Sequence, residues 1–274
     1  KETAEQTHSQ TLVITFWPHP RILLGKVDPN FRLLSSLPEK TKLMENMGVD
    51  HLLIMPFTQE FANQPAEEFL AGFLNRYIKP GVIVAGDDLT FGASGSGNID
   101  LLTANGKTHG FEVKRFETNR DHIDRISSTR IRNYLLTGHV ESANELLGYP
   151  YFITGSVVAG NQIGRAIGFP TANIECSEPL KQIPSDGVYA VWVSGNGKTY
   201  KGMLNIGFRP TIPGATNRTI EVNLFDTAEN LYGQTLSLSF IARLRDELKF
   251  NNLDELKARL VLDSAAARAT LDKY

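Results

Sequence analysis

The sequence predicts a chain of α/β plus β class: a parallel sheet covered by helices, then a small antiparallel barrel or sandwich. Three observations carry this. From Thr11 to about Gly148 short β-rich runs alternate with helical patterns. Beyond Tyr149 helical periodicity nearly vanishes, and the runs that replace it alternate apolar and polar residues between turn signals. The composition changes once, at residue 149, which divides the chain into domains 1–149 and 150–274.

The elements follow in order. KETAEQTHSQ, residues 1–10, reads as the tail of a helix that begins upstream. TLVITF, a strand, runs into WPHP; PEKTKLMENMG is a helix; HLLIMPF is a strand that runs into TQEF; PAEEFLAGFLNRYI is a helix. The strand VIVAG leads into DDLTFG, and FEVKRFE precedes two more helical stretches. In parallel sheets ligands gather beyond the carboxyl ends of the strands, which is where these loops lie. In the second half YFITGSVVAG, GVYAVWV, YKGMLNIG, TIEVNLFD and QTLSLSF are strands, with GNG at Gly195 to Gly197 as a turn. One strong helix remains, NNLDELKARLVLDSAAA, capped by Asn251 or Asn252 and placed to close one end of a barrel.

Composition narrows the function classes. The 274 residues are 41% hydrophobic and 21% charged, a globular balance. Up to Tyr149 there are 15 basic and 18 acidic residues, and after it 13 and 12, so neither half has the basic surplus of a nucleic-acid binder. A single cysteine, Cys176, excludes an internal disulfide and any Cys-rich zinc site; with no membrane-length apolar run and no signal-peptide pattern, this points to the cytoplasm. GKT occurs at residues 106–108 and 197–199, but Leu101 and Trp192 stand where a P-loop needs glycine, so both are expected in loops or turns.

The most informative segment is GRAIGFPTAN, Gly164 to Asn173. Gly164 and Gly168 let a phosphate lie against backbone amides, and Arg165 adds a charged fork. Thr171 and Asn173 leave one face of an extended segment, offering two hard oxygens of the kind Mg²⁺ takes. A Gly/Pro turn before an edge strand is the competing reading. In TIEVNLFD, Ile220, Val222 and Leu224 share one face, so Glu221 and Asn223 point to the other, where a Glu can accept a hydroxyl proton or simply face solvent.

Candidates in the first half sit on loops. SSTRIRNYLLTG starts a helix with hydroxyls at its cap and with Arg130 and Arg132 in its first turns, either a phosphate site or a capped, solvated helix. His19 lies on a rigid Pro-His-Pro corner after a strand. In GDDLTFG, Gly86 to Gly92, glycines allow close backbone approach, Asp87 and Asp88 accept hydrogen bonds, and Phe91 offers a stacking face; an Asp/Gly turn over a core Phe is the alternative.

Taken in order, FWPHP, AGDDLTFG, ISSTRIR, GHVESANELLGYPY, GRAIGFPTAN, LNIGFRPT, TIEVNL, LYG and RLRDELKF resemble the bacterial bifunctional riboflavin kinase and FAD synthetase family over Phe16 to Phe250. The resemblance implies a Rossmann-like nucleotidyltransferase domain of the FMN adenylyltransferase type, then a riboflavin kinase β-barrel. It implies Thr171 and Asn173 as Mg²⁺ and phosphate ligands, Glu221 as catalytic base, Arg245 in assistance, and the Gly160 to Gly168 loop on phosphate. For adenylylation it implies Ser128, Thr129 and Arg132 on phosphates, His19 near the nucleotide, and Gly86, Asp88 and Phe91 near the flavin. ATP, riboflavin, FMN and FAD are the implied ligands. The family's opening GxFDGxHxGH motif is missing from the chain, so an upstream segment is expected. Ala159 stands where relatives often carry a basic residue, and GASGSGN lacks basic residues common after the Phe. Two other readings stay open: a riboflavin kinase whose first domain only binds or regulates, and a flavin carrier without turnover.

Overall fold

The computed structural model describes residues 1–25, 31–116, 124–160, 164, 167–208, 218–227 and 229–274. Its contacts form two compact units, residues 1–31 with 40–126 and residues 32–39 with 127–274.

The first unit holds two parallel strand pairs. β1 (Leu12–Trp17) pairs with β2 (His51–Pro56), and β3 (Val82–Gly86) with β6 (Glu112–Phe116), in-between lying the short antiparallel hairpin of β4 (Thr90–Phe91) and β5 (Gly97–Asn98). The helices up to β6 are α1 (Glu2–Gln6), α2 (Pro20–Leu23), α3 (Leu37–Asn46), α4 (Gln59–Ala62), α5 (Ala66–Phe69) and α6 (Ile99–His109). α5 runs into a wide-turned π segment, Leu70–Ile78, which ends at Lys79 in the left-handed region. Leu70, Leu74, Leu102 and Phe111 form the buried core, covered by Ile83, Ala85 and Val113 from β3 and β6. The strand-helix alternation of the sequence is therefore present.

α6 corrects one expectation. The first GKT, residues 106–108, is its last turn and not a loop. Asn98 caps the helix by accepting from the amides of Asp100 and Leu101, Lys107 and His109 suit its carboxyl end, and Gly110 closes it at φ 81°. Gly106 suits that last turn because the carbonyl and ring of Phe111 press where a Cβ would stand. Of the second GKT only Gly197 lies in the turn from β9 (Gly187–Gly195) to β10 (Lys198–Phe208), whose first two residues are Lys198 and Thr199; Asn196 and Gly197 both take positive φ, the pair a two-residue hairpin prefers.

In the second unit α7 (Ser128–Leu136) and α8 (Val140–Leu147) precede β7 (Phe152–Val158), β8 (Ala172–Cys176), β9, β10, β11 (Arg218–Leu224) and β12 (Thr235–Arg245). These six strands close into an antiparallel barrel in the order β10-β11-β8-β7-β12-β9. Inward residues alternate with outward ones on every strand, as the sequence pattern requires. Ile153 and Val157, Ile174, Tyr189, Val191 and Val193, Leu204 and Ile206, Ile220, Val222 and Leu224, and Leu236, Leu238 and Phe240 fill the interior. Tyr189 meets Phe240 edge-on at 5.2 Å between ring centres, a pairing worth about 0.5–1.5 kcal/mol beyond burial.

The last helix, α9 (Leu253–Leu271), is capped by Asn252. It covers the outer wall of β9, β10 and β12, where Ala267 and Leu271 pack on Ala190, Met203 and Ile241. α7 and α8 join the barrel unit because Ile131, Leu135, Val140 and Ala143 belong to the same buried cluster as the barrel interior. Composition divides the chain at residue 149; packing draws residues 127–149 toward the barrel.

The sequence does not announce residues 32–39, yet they are built into the second unit. The Leu33 amide donates to Leu180 O at 2.7 Å and the Gln182 amide to Leu33 O at 2.8 Å. Glu39 then forms a buried ion pair with Lys181 at 2.6 Å and accepts the amides of Ser36 and Thr154, each at 2.8 Å. Lys181 also donates to Leu34 O and lies over the Tyr151 ring. Burial pulls the Lys181 pKa down while Glu39 opposes that shift. Removing one member strands the other charge, so Glu39→Ala should destabilise the protein by about 3–5 kcal/mol, whereas an apolar double replacement should cost much less. Urea unfolding of the two variants measures both.

Candidate active sites

The pairing of β8 with β11 assembles the first site. Glu221 stands opposite Asn173, and Asn173 opposite Val158 of β7. Since Ile220, Val222 and Ile174 point inward, Glu221, Thr171 and Asn173 share the outer face. The Thr171 hydroxyl donates to Glu221 Oε2 at 3.2 Å. Asn223, two residues along the same face, donates from Nδ2 to Pro170 O at 2.7 Å and so ties the turn before Thr171 to β11.

The glycines suit this face. A Cβ at Gly160 would fall on the Asn173 amide group, and one at Gly164 would strike Phe169 O, with Thr171 Oγ1 at 3.5 Å. Gly168 holds φ +89°, a turn conformation L side chains avoid. Arg165 lies outside the described residues. A cavity of about 490 Å³ opens beside Thr171, lined by Val157, Pro170, Ala172, Leu224, Leu231 and Tyr232 with Glu229 and Asn230. Lys198 and the Tyr200 hydroxyl both donate to Glu229, at 2.6 and 3.1 Å, and hold its carboxyl below the usual range.

Among the described residues no cluster of three His, Cys, Asp or Glu side chains could hold a metal. The Thr171 hydroxyl and Asn173 amide oxygen are hard donors beside a carboxylate, a set that fits Mg²⁺ completed by phosphate and water.

Arg245 lies in the same register row, through Val188 and Asn205 to Glu221, with two strands between. Its guanidinium is turned onto Asp263 of α9, with Nε at 3.0 Å from both carboxylate oxygens and Nη2 at 2.6 Å from Oδ2. Asp263 is buried and also takes Arg259 at 3.0 Å. Cys176, the only thiol, points into the barrel core, and burial raises its pKa to about 11, so it is protonated at neutral pH.

In the first unit the loops after β1 and β3 meet at a cavity of about 280 Å³. Phe16, Phe57, Phe61, Phe69 and Phe91 line it with Pro20 and Leu24, the rings meeting edge-on or tilted at 5.4–5.9 Å between centres. His19 caps α2, its Nδ1 accepting the Arg21 amide at 3.2 Å, and its ring lies 5.2 Å from Phe31. Gly86 ends β3 close to Asp88, which is paired with Arg125. Ser128 and Thr129 are exposed in the first turn of α7, after the capping Ser127, and Arg132 Nε donates to Arg32 O at 2.6 Å.

A family model described as FAD synthetase matches residues 1–130, and one described as riboflavin kinase matches residues 147–271. The bifunctional riboflavin kinase/FMN adenylyltransferase of Listeria monocytogenes is 37% identical over all of this chain and 86% of its own length. The protein of the same description from Escherichia coli K12 is 36% identical over 98% of this chain and 85% of its own. The chain belongs to the bifunctional riboflavin kinase/FMN adenylyltransferase family. A Streptococcus pneumoniae structure described as a macrolide-efflux protein shares the fold, with a TM-score of 0.85 and 35% identity over 97% of this chain and 86% of that one. In this chain, among the described residues, no helix is long and apolar enough to cross a membrane.

Both enzymatic modules of the bifunctional family are thus present, and the chain is an enzyme of FAD biosynthesis that acts on riboflavin, FMN and ATP. Sequence reading had isolated Thr171, Asn173 and Glu221 and the face of Asn223. Asp263, alone on its helix, carries no signal in the sequence, and no local pattern links Phe57, Phe61 and Phe69 to Phe91. The Arg125 charge and its hydrogen bond hold the Asp88 carboxyl below the ordinary aspartate value. The pair is therefore complete above that value and is lost as pH falls through the depressed pKa. Arg125→Ala should move the Asp88 titration upward, toward the ordinary value, in an NMR pH series.

Proposed function

We propose that phosphoryl transfer to riboflavin takes place at Thr171, Asn173 and Glu221 on the outer face of the barrel. The observation that carries this is the 3.2 Å hydrogen bond from Thr171 to Glu221 with Asn173 directly opposite Glu221. The carboxylate is held by its neighbour and faces outward, where a hydroxyl can reach it. Glu221 accepts the proton of the ribityl 5′-hydroxyl as that oxygen attacks the γ-phosphorus of ATP. The bond from the γ-phosphorus to the bridging oxygen breaks and ADP leaves, with FMN as the product. Thr171 and Asn173 hold Mg²⁺, which when bound neutralises phosphate charge. Gly160, Gly164 and Gly168 admit the phosphates to the backbone, and Arg165 adds charge there. The cavity beside Thr171 is assigned to the nucleotide, because Thr171 is among its lining residues and Glu221 is not. Arg245, fixed by Asp263, contributes positive charge from the same row of the barrel.

For the second reaction, the FMN phosphate attacks the α-phosphorus of another ATP and expels pyrophosphate. We assign Phe91 and the aromatic cavity to the flavin ring, with Gly86 and Asp88 beside it, and His19 to the nucleotide. Ser128, Thr129 and Arg132 are assigned to phosphate. This chemistry needs positioning and charge stabilisation, not a covalent intermediate. Adenylyl transfer is assigned to residues 1–149 and phosphoryl transfer to 150–274, a division supported by the extents of the two family matches. The cytoplasm is the compartment we infer, on the single cysteine.

Glu221→Ala should abolish most FMN formation while riboflavin still binds, measured by chromatography of flavins and by fluorescence titration; near-normal turnover would sink the base assignment. Thr171→Ala should raise the Mg²⁺ concentration needed for half-maximal kinase rate, and an unchanged metal dependence would remove it as a ligand.

A further inference from the structure

The outer face that carries Glu221 holds a second carboxylate. Glu221 faces Asn205 across the β10–β11 ladder, and Gly207, two residues further along β10, faces Thr219. Leu204 and Ile206 point inward, so Asn205 and Gly207 present the same outer face as Glu221. Gly207 has no side chain, and the space is taken: a Cβ there would fall on the carboxylate of Glu247, from the segment that follows β12. The Phe208 amide N–H donates to that carboxylate, which pins it over β10. Glu247 is otherwise exposed. Among the described residues, Asp186, Arg245 and Arg218 are charged groups that act on it.

Resting on the assignment of Glu221 as base, we propose that Glu247 is a substrate-positioning residue of the kinase site. It accepts a hydrogen bond from a ribityl hydroxyl other than the one phosphorylated. Positions diagonal to each other on one face of a sheet are roughly 7–8 Å apart, a span that a polyol chain with a hydroxyl on successive carbons covers. Two carboxylates in this relation read one end of the chain for chemistry and another part for register. Burial of part of the carboxylate raises the Glu247 pKa, while the residue as a whole stays exposed. Gly207 is then the residue that makes room for it.

The test uses the 274-residue chain, riboflavin, and riboflavin analogues lacking the 2′-, 3′- or 4′-hydroxyl. Glu247→Ala should raise the riboflavin KM about tenfold or more, the cost of losing a hydrogen bond to a charged acceptor, and leave the ATP KM unchanged. Glu247→Gln, which retains an acceptor oxygen, should recover part of the loss. Gly207→Ala, whose new methyl displaces the carboxylate without removing it, should reproduce the KM effect and add little in combination with Glu247→Ala. One deoxy analogue should be penalised by the wild-type protein and not by Glu247→Ala. The proposal is overturned if the riboflavin KM is unchanged in both Glu247→Ala and Gly207→Ala, or if every deoxy analogue is penalised equally with and without Glu247. If Glu247→Ala does not fold, Gly207→Ala and Glu247→Gln decide by the same measurements. A failure of the Glu221 assignment is visible separately, as retained turnover in Glu221→Ala.

Discussion

The short ladder between β8 and β11 is the constraint on which the kinase half depends. It joins only two residue pairs, Glu221 with Asn173 and Val222 with Ala172, yet it sits in the ring of six strands that closes the barrel. Its register is dictated by burial. Ile174 on one strand and Ile220, Val222 and Leu224 on the other must face the interior, and that leaves Thr171, Asn173 and Glu221 no choice but the outer face. A slip of one residue would bury the carboxylate and expose the isoleucines, so the force that packs the barrel is also the force that sets the site. Hydroxyl, amide and carboxylate converge as a by-product of hydrophobic burial.

The rest of the unit holds that arrangement still. Asn223 secures Pro170, the residue before Thr171, and Asp263 of α9 holds the guanidinium of Arg245. The Lys181–Glu39 pair ties residues 32–39 to β7, where Glu39 accepts the Thr154 amide. A buried ion pair is weak evidence for net stability but a strong specifier of geometry, since each member is costly without the other. Here the pair makes hydrogen bonds to three backbone groups, and Lys181 also lies over the Tyr151 ring, which fixes one path for a segment whose sequence has no distinctive pattern.

Legibility differed between the two halves for a physical reason. The kinase motif lies within ten consecutive residues and one strand, where period-two alternation already tells which side chains share a face. Glu221 could be added because its own strand alternates strictly. The first unit's cavity is built from rings that come from the end of β1, the loops after β2, α5 and the hairpin, and no local period connects them. The GKT at residues 106–108 misled for another reason: a glycine signal suggested a loop, while the chain folding back at Phe111, just past the helix end, made glycine the residue the helix needed.

By itself the sequence determined the class of the two halves, the strands and helices that build them, the family, and the side of each strand on which the chemistry-bearing residues lie. These follow from periodicity and ordered motifs, which are local. Only the tertiary structure decided that α7, α8 and residues 32–39 pack with the barrel, that Arg245 is bound to Asp263, and that Glu247 occupies the space left by Gly207. Those facts depend on closure of a barrel that brings residues far apart in the chain to neighbouring strands, and strand alternation carries no information about which strands become neighbours.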